Sequence, residues 1–241
     1  MKVIQIVGYK NTGKTTVGER LLAVFSAMGL HVVAVKHSHS SDESSKTVDT
    51  ERLYNAGAEK AYFCNDTMTL CTGKLQSLEK IITDTNHTYD ICIIEGYKSF
   101  VYPRIVCMDT PSETLLDGAF AIAAKTSHHL PESGVPVFNA LNDDDIQTLA
   151  DLCLKLPNYP AGLDCGACGM TCRQLYLERT CGEAMVCVAE QAGTISIIVN
   201  GIPIPLAPFV QNVALQTFSG FVSSLKGYAP GDVAINFTTR D

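Results

Sequence analysis

Apolar positions along the first 157 residues alternate between short continuous runs and longer stretches with helical spacing. Val3-Ile4-Gln5-Ile6-Val7 is the first run, and His31-Val32-Val33-Ala34-Val35-Lys36 is the second. Between them, Val17, Leu21, Phe25 and Met28 recur every three to four residues, which predicts a helix with one buried face. Thr47 to Ala56 reads as a short helix ended by Gly57, and Leu75, Leu78, Ile81 and Ile82 mark another. Ala61-Tyr62-Phe63-Cys64 and Met68-Thr69-Leu70-Cys71 are short strand candidates. Asp90-Ile91-Cys92-Ile93-Ile94-Glu95-Gly96 is an apolar strand with acids at both ends, followed by strands at Arg104–Met108 and Ala119–Ala124. Pro136-Val137-Phe138-Asn139 precedes a helix with Ile146, Leu149, Ala150 and Leu154 on its apolar face. Uniformly apolar strands alternating with helices predict an α/β fold, a doubly wound and mostly parallel sheet covered on both faces. The serine-rich stretch from His37 to Lys46 lacks such periodicity and is expected to be a mobile loop.

The pattern breaks at Pro157 and Pro160. Thr171 to Cys181 lacks glycine and proline and contains Leu175, Tyr176 and Leu177, which predicts a helix that Gly182 ends in a left-handed turn. Thr194 to Pro205 reads as a hairpin around Asn200-Gly201. Val210 to Lys226 reads as a helix, and Val233 to Phe237 as a closing strand. Three parts are therefore expected: a nucleotide-binding domain at 1–157, a cysteine-rich segment at 158–192 and a small α+β segment at 193–241.

Composition narrows the function. With 46% hydrophobic and 18% charged residues in 241, the chain has the make-up of an ordinary soluble protein. A net charge of −7 argues against a general nucleic-acid or anionic-membrane surface. No apolar run approaches the ~20 residues that cross a bilayer. The first strand runs directly into a glycine-bounded loop, unlike a leader peptide.

That loop, Gly8-Tyr9-Lys10-Asn11-Thr12-Gly13-Lys14-Thr15, lies between a strand and a helix, the context of a phosphate-binding P-loop. Gly8 and Gly13 let the backbone around Asn11 and Thr12 turn its N–H groups inward, and the helix N-terminus favours negative charge. Lys14 is expected to reach the outer phosphates, and Thr15 to offer its hydroxyl to magnesium. A nucleoside triphosphate is the expected ligand, which implies a cytoplasmic protein whose ten cysteines are reduced.

The two acids that flank the run from Asp90 to Glu95 separate by geometry. At ~3.3 Å per residue, Asp90 lies roughly 16 Å from Glu95 and at the wrong end of a parallel sheet. Glu95 is the candidate metal acid, and Asp90 a strand-start or capping residue. Lys36-His37-Ser38-His39 ends the second strand on the same side and reads as an anion contact, a transient metal site or a solvated loop. Asp49 reads as a switch element that reaches the magnesium or as an ordinary helix N-terminal acid. Asn139 stands where a base-reading residue would sit, but no Asn-Lys-x-Asp run selects guanine over adenine.

The strings GYKNTGKTT, VAVKHSHS, VDTERLYNAGAEKAYF and YDICIIEGYKSFVYPRIV, in this order and spacing, resemble the molybdopterin-guanine dinucleotide biosynthesis protein B family. This is a branch of the P-loop GTPases, and the resemblance covers residues 2–157. It implies that Gly13, Lys14, Thr15 and Thr16 bind GTP and that Thr15 and Glu95 serve Mg2+. It also implies slow GTP hydrolysis, in which Lys14 and Glu95 take part, and assistance to a guanylyltransferase that joins GMP to molybdopterin. Dimers are usual in the family. No side chain stands out as a water-activating base, which agrees with weak turnover.

Three of the ten cysteines, Cys165, Cys168 and Cys172, fall within eight residues that include two glycines. Such spacing suits a [4Fe–4S] cluster, zinc or unliganded thiols, and the missing second CxxC disfavours tetrahedral zinc. A helix leaving Cys172 at 1.5 Å per residue carries Cys181 roughly 13 Å away, which leaves Cys187 as the fourth ligand. LPNYPAGLDCGACGMTC with Cys187 after it resembles the four-cysteine iron–sulfur motif of certain electron-transfer subunits. It has one residue fewer before Cys172 and lacks a proline-glycine tail after Cys187. Cys64, Cys71, Cys92, Cys107 and Cys153 lie in apolar segments as inert core thiols. Two other functions fit the same residues: a nucleotide-driven metallochaperone for another metalloenzyme, and a redox-responsive module that docks a redox partner or a molybdoenzyme.

Overall fold

The computed structural model describes residues 1–37, 52–64, 77–109, 115–125, 134–190 and 195–235. The chain divides into two compact units, Met1–Cys187 and Val188–Asp241.

In the first unit every apolar run that is described becomes a strand of one sheet: β1 (Lys2–Gly8), β2 (Val32–His37), β3 (Lys60–Cys64), β4 (Ile91–Glu95), β5 (Arg104–Cys107), β6 (Ala119–Ala124) and β7 (Val137–Asn139). Their order is β3-β2-β4-β1-β5-β6-β7, and every ladder is parallel. The chain leaves β1 towards β2, whereas the chain leaving β4 crosses over β1 to reach β5. The carboxyl end of β1 therefore opens into the crevice where the winding reverses, the place at which parallel sheets bind ligands.

Side-chain alternation along β1 feeds two cores. Ile4 and Ile6 meet Val17, Leu21 and Phe25 of α1 (Lys14–Ala27) and Leu149 and Cys153 of α3 (Asp143–Leu154). Val3 turns to the opposite face, with Ile81 and Ile82 of α2 (Leu78–Thr85) and Tyr176 of α4 (Cys172–Thr180). Met28, expected on the apolar face of α1, lies at its C-cap and is exposed. The helix starts follow local chemistry. The Ser77 hydroxyl accepts from the Lys80 N–H at 3.2 Å, and the Asn142 side chain accepts from the Asp145 N–H at 2.9 Å. Thr171 and Gln174 form a reciprocal capping box for α4, and Gly182 follows its end at φ 91. The helix expected at Thr47–Ala56 is described from residue 52, with 52–55 helical. Residues 38–46, Met68–Cys71 and Leu75 lie outside the described residues.

The cysteine-rich stretch packs into this first unit. The Tyr159 N–H donates to the Met1 carbonyl at 2.8 Å, and Asn86 Nδ2 donates to the Pro160 carbonyl at 2.7 Å. Tyr176 goes deepest. Pairing between β1 and β5 begins only at Gln5, so the Val3 N–H and C=O, which point to the β5 side, have no strand opposite them. The buried Tyr176 hydroxyl accepts from the Val3 N–H and donates to the Val3 carbonyl, both at 3.0 Å. One side chain thus stands in for the missing stretch of ladder.

The second unit contains the hairpin β8 (Ile197–Val199) and β9 (Ile202–Ile204), closed by Asn200 and Gly201 at φ 51 and 81. Helix α5 (Pro208–Ser223) follows. The strand expected from Val233 does not form over Val233–Ile235, which pair with neither hairpin strand; Phe237 lies outside the described residues. A β-branched run carries strand propensity without specifying a neighbour. Among the described residues no helix is long and apolar enough to cross a membrane.

Candidate functional site: the loop after the central strand

β1 ends on Gly8, and the glycine is obligatory there. A Cβ at this position would lie 2.4 Å from the Cys107 carbonyl oxygen and 2.5 Å from Thr12 Oγ1. The loop then turns through Asn11 at φ 65 and Gly13 at φ 90, the N-cap of α1. Thr12 Oγ1 donates to the Tyr9 carbonyl at 2.9 Å, and Lys14 Nζ donates to the same oxygen at 2.6 Å. From the end of β6, Lys125 Nζ donates to the Asn11 carbonyl at 2.9 Å. Thr15 and Thr16 occupy the first turn of α1, both half-buried.

Beside the loop lies a buried polar cluster. Thr15 Oγ1 donates to Glu95 Oε1 at 3.0 Å, and Lys36 Nζ forms an ion pair with the same oxygen. The ladder sets this up, because Lys36 and Glu95 are register partners at the ends of β2 and β4. Their side chains are only 10% and 3% exposed. Glu95 Oε2 is buried and has no hydrogen-bond partner among the described residues. A buried carboxylate oxygen left open next to a threonine hydroxyl is the oxygen donor set that a hard divalent cation takes. Thr15 and Glu95 are thus the residues that would hold magnesium, and the cation would supply charge neutralisation there. Burial lowers the Lys14 ammonium pKa; Glu95 opposes that shift, and the like charges of Lys36 and Lys98 add to it.

The other sequence-singled residues lie as follows. Asp90 stands at the start of β4, where Oδ2 accepts from the His31 N–H at 2.9 Å. His37 ends β2 and stacks on Tyr97, with ring centroids 4.1 Å apart. Asn139 ends β7 at the sheet edge; its Oδ1 accepts from the Leu141 N–H at 2.9 Å, so the side chain caps its own turn. His39 and Asp49 lie outside the described residues. Three residues that the sequence reading gave no role bear on the site: Gln5, Lys98 and Lys125. The signal for Gln5 was available, since a lone amide inside an apolar central strand demands buried partners.

The cysteines are differently placed. Cys165 is exposed, Cys168 half-buried, and Cys172 and Cys187 buried. Cys172 Sγ accepts from the Asp164 N–H at 3.3 Å, and its own N–H donates to Asp164 Oδ1 at 2.6 Å. Burial pushes its thiol up to about 11. Among the described residues no three His, Cys, Asp or Glu side chains come together as a metal site, so these four thiols are not gathered around one point. Burial raises the Cys92 and Cys107 thiols to about 12 and raises Cys153 as well, as in unreactive core cysteines.

Comparison with known proteins gives this geometry a setting. The profile described as molybdopterin guanine dinucleotide synthesis protein B matches residues 3–124. A protein of Methanocaldococcus jannaschii assigned as a molybdopterin-guanine dinucleotide biosynthesis adapter protein is 30% identical over 234 residues, spanning 94% of this chain and 93% of its own. A Bacillus subtilis protein assigned the same role is 31% identical over 153 residues, 60% of this chain and 87% of its own. The crystal structure of Bacillus subtilis MobB is 28% identical, covering 63% of this chain and 97% of that one, with a TM-score of 0.46. The family match spans the P-loop, Lys36 and Glu95, and the similarity to the Methanocaldococcus jannaschii protein extends through the cysteine-rich stretch. The chain belongs to the molybdopterin guanine dinucleotide synthesis protein B family.

Proposed function

We propose that this chain binds GTP with magnesium on the loop from Gly8 to Thr16. We propose further that it works as an adapter in making the guanine dinucleotide form of molybdopterin, beside the guanylyltransferase that joins GMP to it. The observation that carries the reading is the Thr15–Glu95–Lys36 cluster, with Glu95 Oε2 open, set against a glycine-bounded loop at the reversal point of the sheet. The names of its relatives support the pathway. Lys14 and Thr15 bind and orient the phosphates, Glu95 holds the cation's side of the site, and hydrolysis is slow.

Ligand at a hundred times its dissociation constant adds ~2.7 kcal/mol, roughly 5–10 °C for a domain of this size. GTP with magnesium is expected to raise the melting temperature by this amount, ATP by less, and neither to do so in Lys14→Ala. Equal shifts with both nucleotides would remove the guanine assignment. A shift that survives in Lys14→Ala would remove the P-loop reading.

The cysteine spacing supports a second element, a [4Fe–4S] cluster on Cys165, Cys168, Cys172 and Cys187; the separation of these thiols stands against it. Metal analysis of anaerobically purified protein decides. The cluster predicts iron and visible absorbance that Cys187→Ala loses and Cys181→Ala keeps. Wild-type protein without iron, or with stoichiometric zinc alone, rejects it.

A further inference from the structure

The turn after β4 is fastened from below by two buried side chains. Gln5 lies in the middle of β1, and its register partner Arg104 starts β5. Gln5 Nε2 donates to the carbonyls of Gly96 at 2.9 Å and Tyr97 at 2.8 Å, while its Oε1 accepts from the Tyr102 N–H at 3.2 Å. Arg104 Nη2 donates to the Phe100 carbonyl at 2.5 Å. Gly96 and Tyr97 are held at φ 97 and 52, and the Tyr97 ring is wedged between His37 and Phe100, with centroids 4.1 and 5.8 Å away. Two buried polar side chains, one in mid-strand and one at a strand start, spent on one turn make it a rigid mount.

What the mount presents is Lys98. Its side chain is exposed, and Nζ stands 4.4 Å from the centroid of the Tyr9 ring. The Tyr9 carbonyl accepts from Lys14 Nζ. Two ammonium groups thus converge on one P-loop residue, one on its ring and one on its backbone. Glu95, the nearby carboxylate, already gives Oε1 to Lys36 and Thr15. Among the described residues the ammonium groups of Lys14, Lys36 and Lys98 therefore outnumber the carboxylate of Glu95 here, in a chain whose net charge is −7. An exposed ammonium–ring contact is worth only ~0.5–1 kcal/mol, so a phosphate dianion can draw Lys98 away from it.

We propose that Lys98 is a second phosphate-binding ammonium of this site, supplied by the same chain and favouring nucleoside triphosphate over diphosphate, with Gln5 and Arg104 as its positioning residues. The inference rests on the nucleotide-binding reading above. Lys98 is a point charge on a flexible stem and adds attraction where the ligand carries most charge, at the terminal phosphate.

Calorimetric titration of the full chain with GTP and with GDP, both with magnesium, tests it. A lost charge-assisted hydrogen bond corresponds to a drop of about tenfold or more in affinity. Lys98→Met is expected to weaken GTP by that factor and GDP by far less, and Lys98→Arg to restore most of the GTP affinity. Gln5→Leu is expected to reproduce the selective loss for GTP with Lys98 present; should that variant not fold, the Lys98 pair decides alone. Unchanged affinities in Lys98→Met, or equal losses for GTP and GDP, overturn the proposal while leaving the P-loop reading intact, provided Lys14→Ala abolishes binding. Wild-type protein that binds neither nucleotide overturns both.

Discussion

Lys36→Met is expected to lower the unfolding free energy by about 3–5 kcal/mol, the size seen when one partner of a buried ion pair is removed. The loss comes from the carboxylate left behind. Glu95 lies in the protein interior with Oε2 already lacking a partner among the described residues, and Lys36 is a cation seated on its other oxygen. Met preserves the stem's packing, so the change isolates the charge. Lys36→Met with Glu95→Leu should recover much of the stability, because burying two apolar side chains replaces two costly desolvations. Urea unfolding of the nucleotide-free protein measures both. A loss below ~1 kcal/mol in the single variant would mean that water reaches Glu95 and that the pair behaves like a surface salt bridge. Magnesium with GTP should partly rescue Lys36→Met, since a divalent cation beside Thr15 compensates the same carboxylate.

Tyr176→Phe is the second large effect. The ring packs as before, but the Val3 N–H and C=O each lose their hydrogen-bond partner inside the protein. An unsatisfied buried polar group costs about 1–3 kcal/mol. Two of them predict a loss of roughly 2–6 kcal/mol and a melting temperature lower by roughly 5–20 °C. Amide exchange at Val3 provides a local check, because its protection should fall further than that of Ile4 or Ile6. A variant with wild-type stability would show that water enters beside β1 and replaces the hydroxyl.

The layers of the fold were legible in the sequence because parallel strands buried on both faces leave unbroken apolar runs, and helices with one buried face leave the three-to-four spacing of Val17, Leu21 and Phe25. The P-loop was legible because its glycines, Lys14 and Thr15 are contiguous. Contacts set by register were hidden. Lys36 and Glu95 are 59 positions apart, and only the β2–β4 ladder brings them level. Asn139 illustrates the opposite limit. Its strand-end position gives no hint of the turn that follows, where a short amide can cap locally, and its Oδ1 accepts from the Leu141 N–H two residues on. Cysteine spacing likewise describes how thiols can be reached by one loop, whereas Cys172 turns its sulfur to the Asp164 N–H.

The Tyr176 bridge also sets an order of events during synthesis. β1 leaves the ribosome before the other strands of its sheet, yet the group that completes its hydrogen bonding is 173 residues downstream. Until α4 has emerged, the start of the strand that carries the P-loop keeps an open, adhesive edge, the kind that recruits a neighbouring chain. Native closure is thus a late, long-range step. A ribosome stalled between the nucleotide-binding half and the cysteine-rich stretch would release a chain with its sheet outlined and its central strand still unsealed.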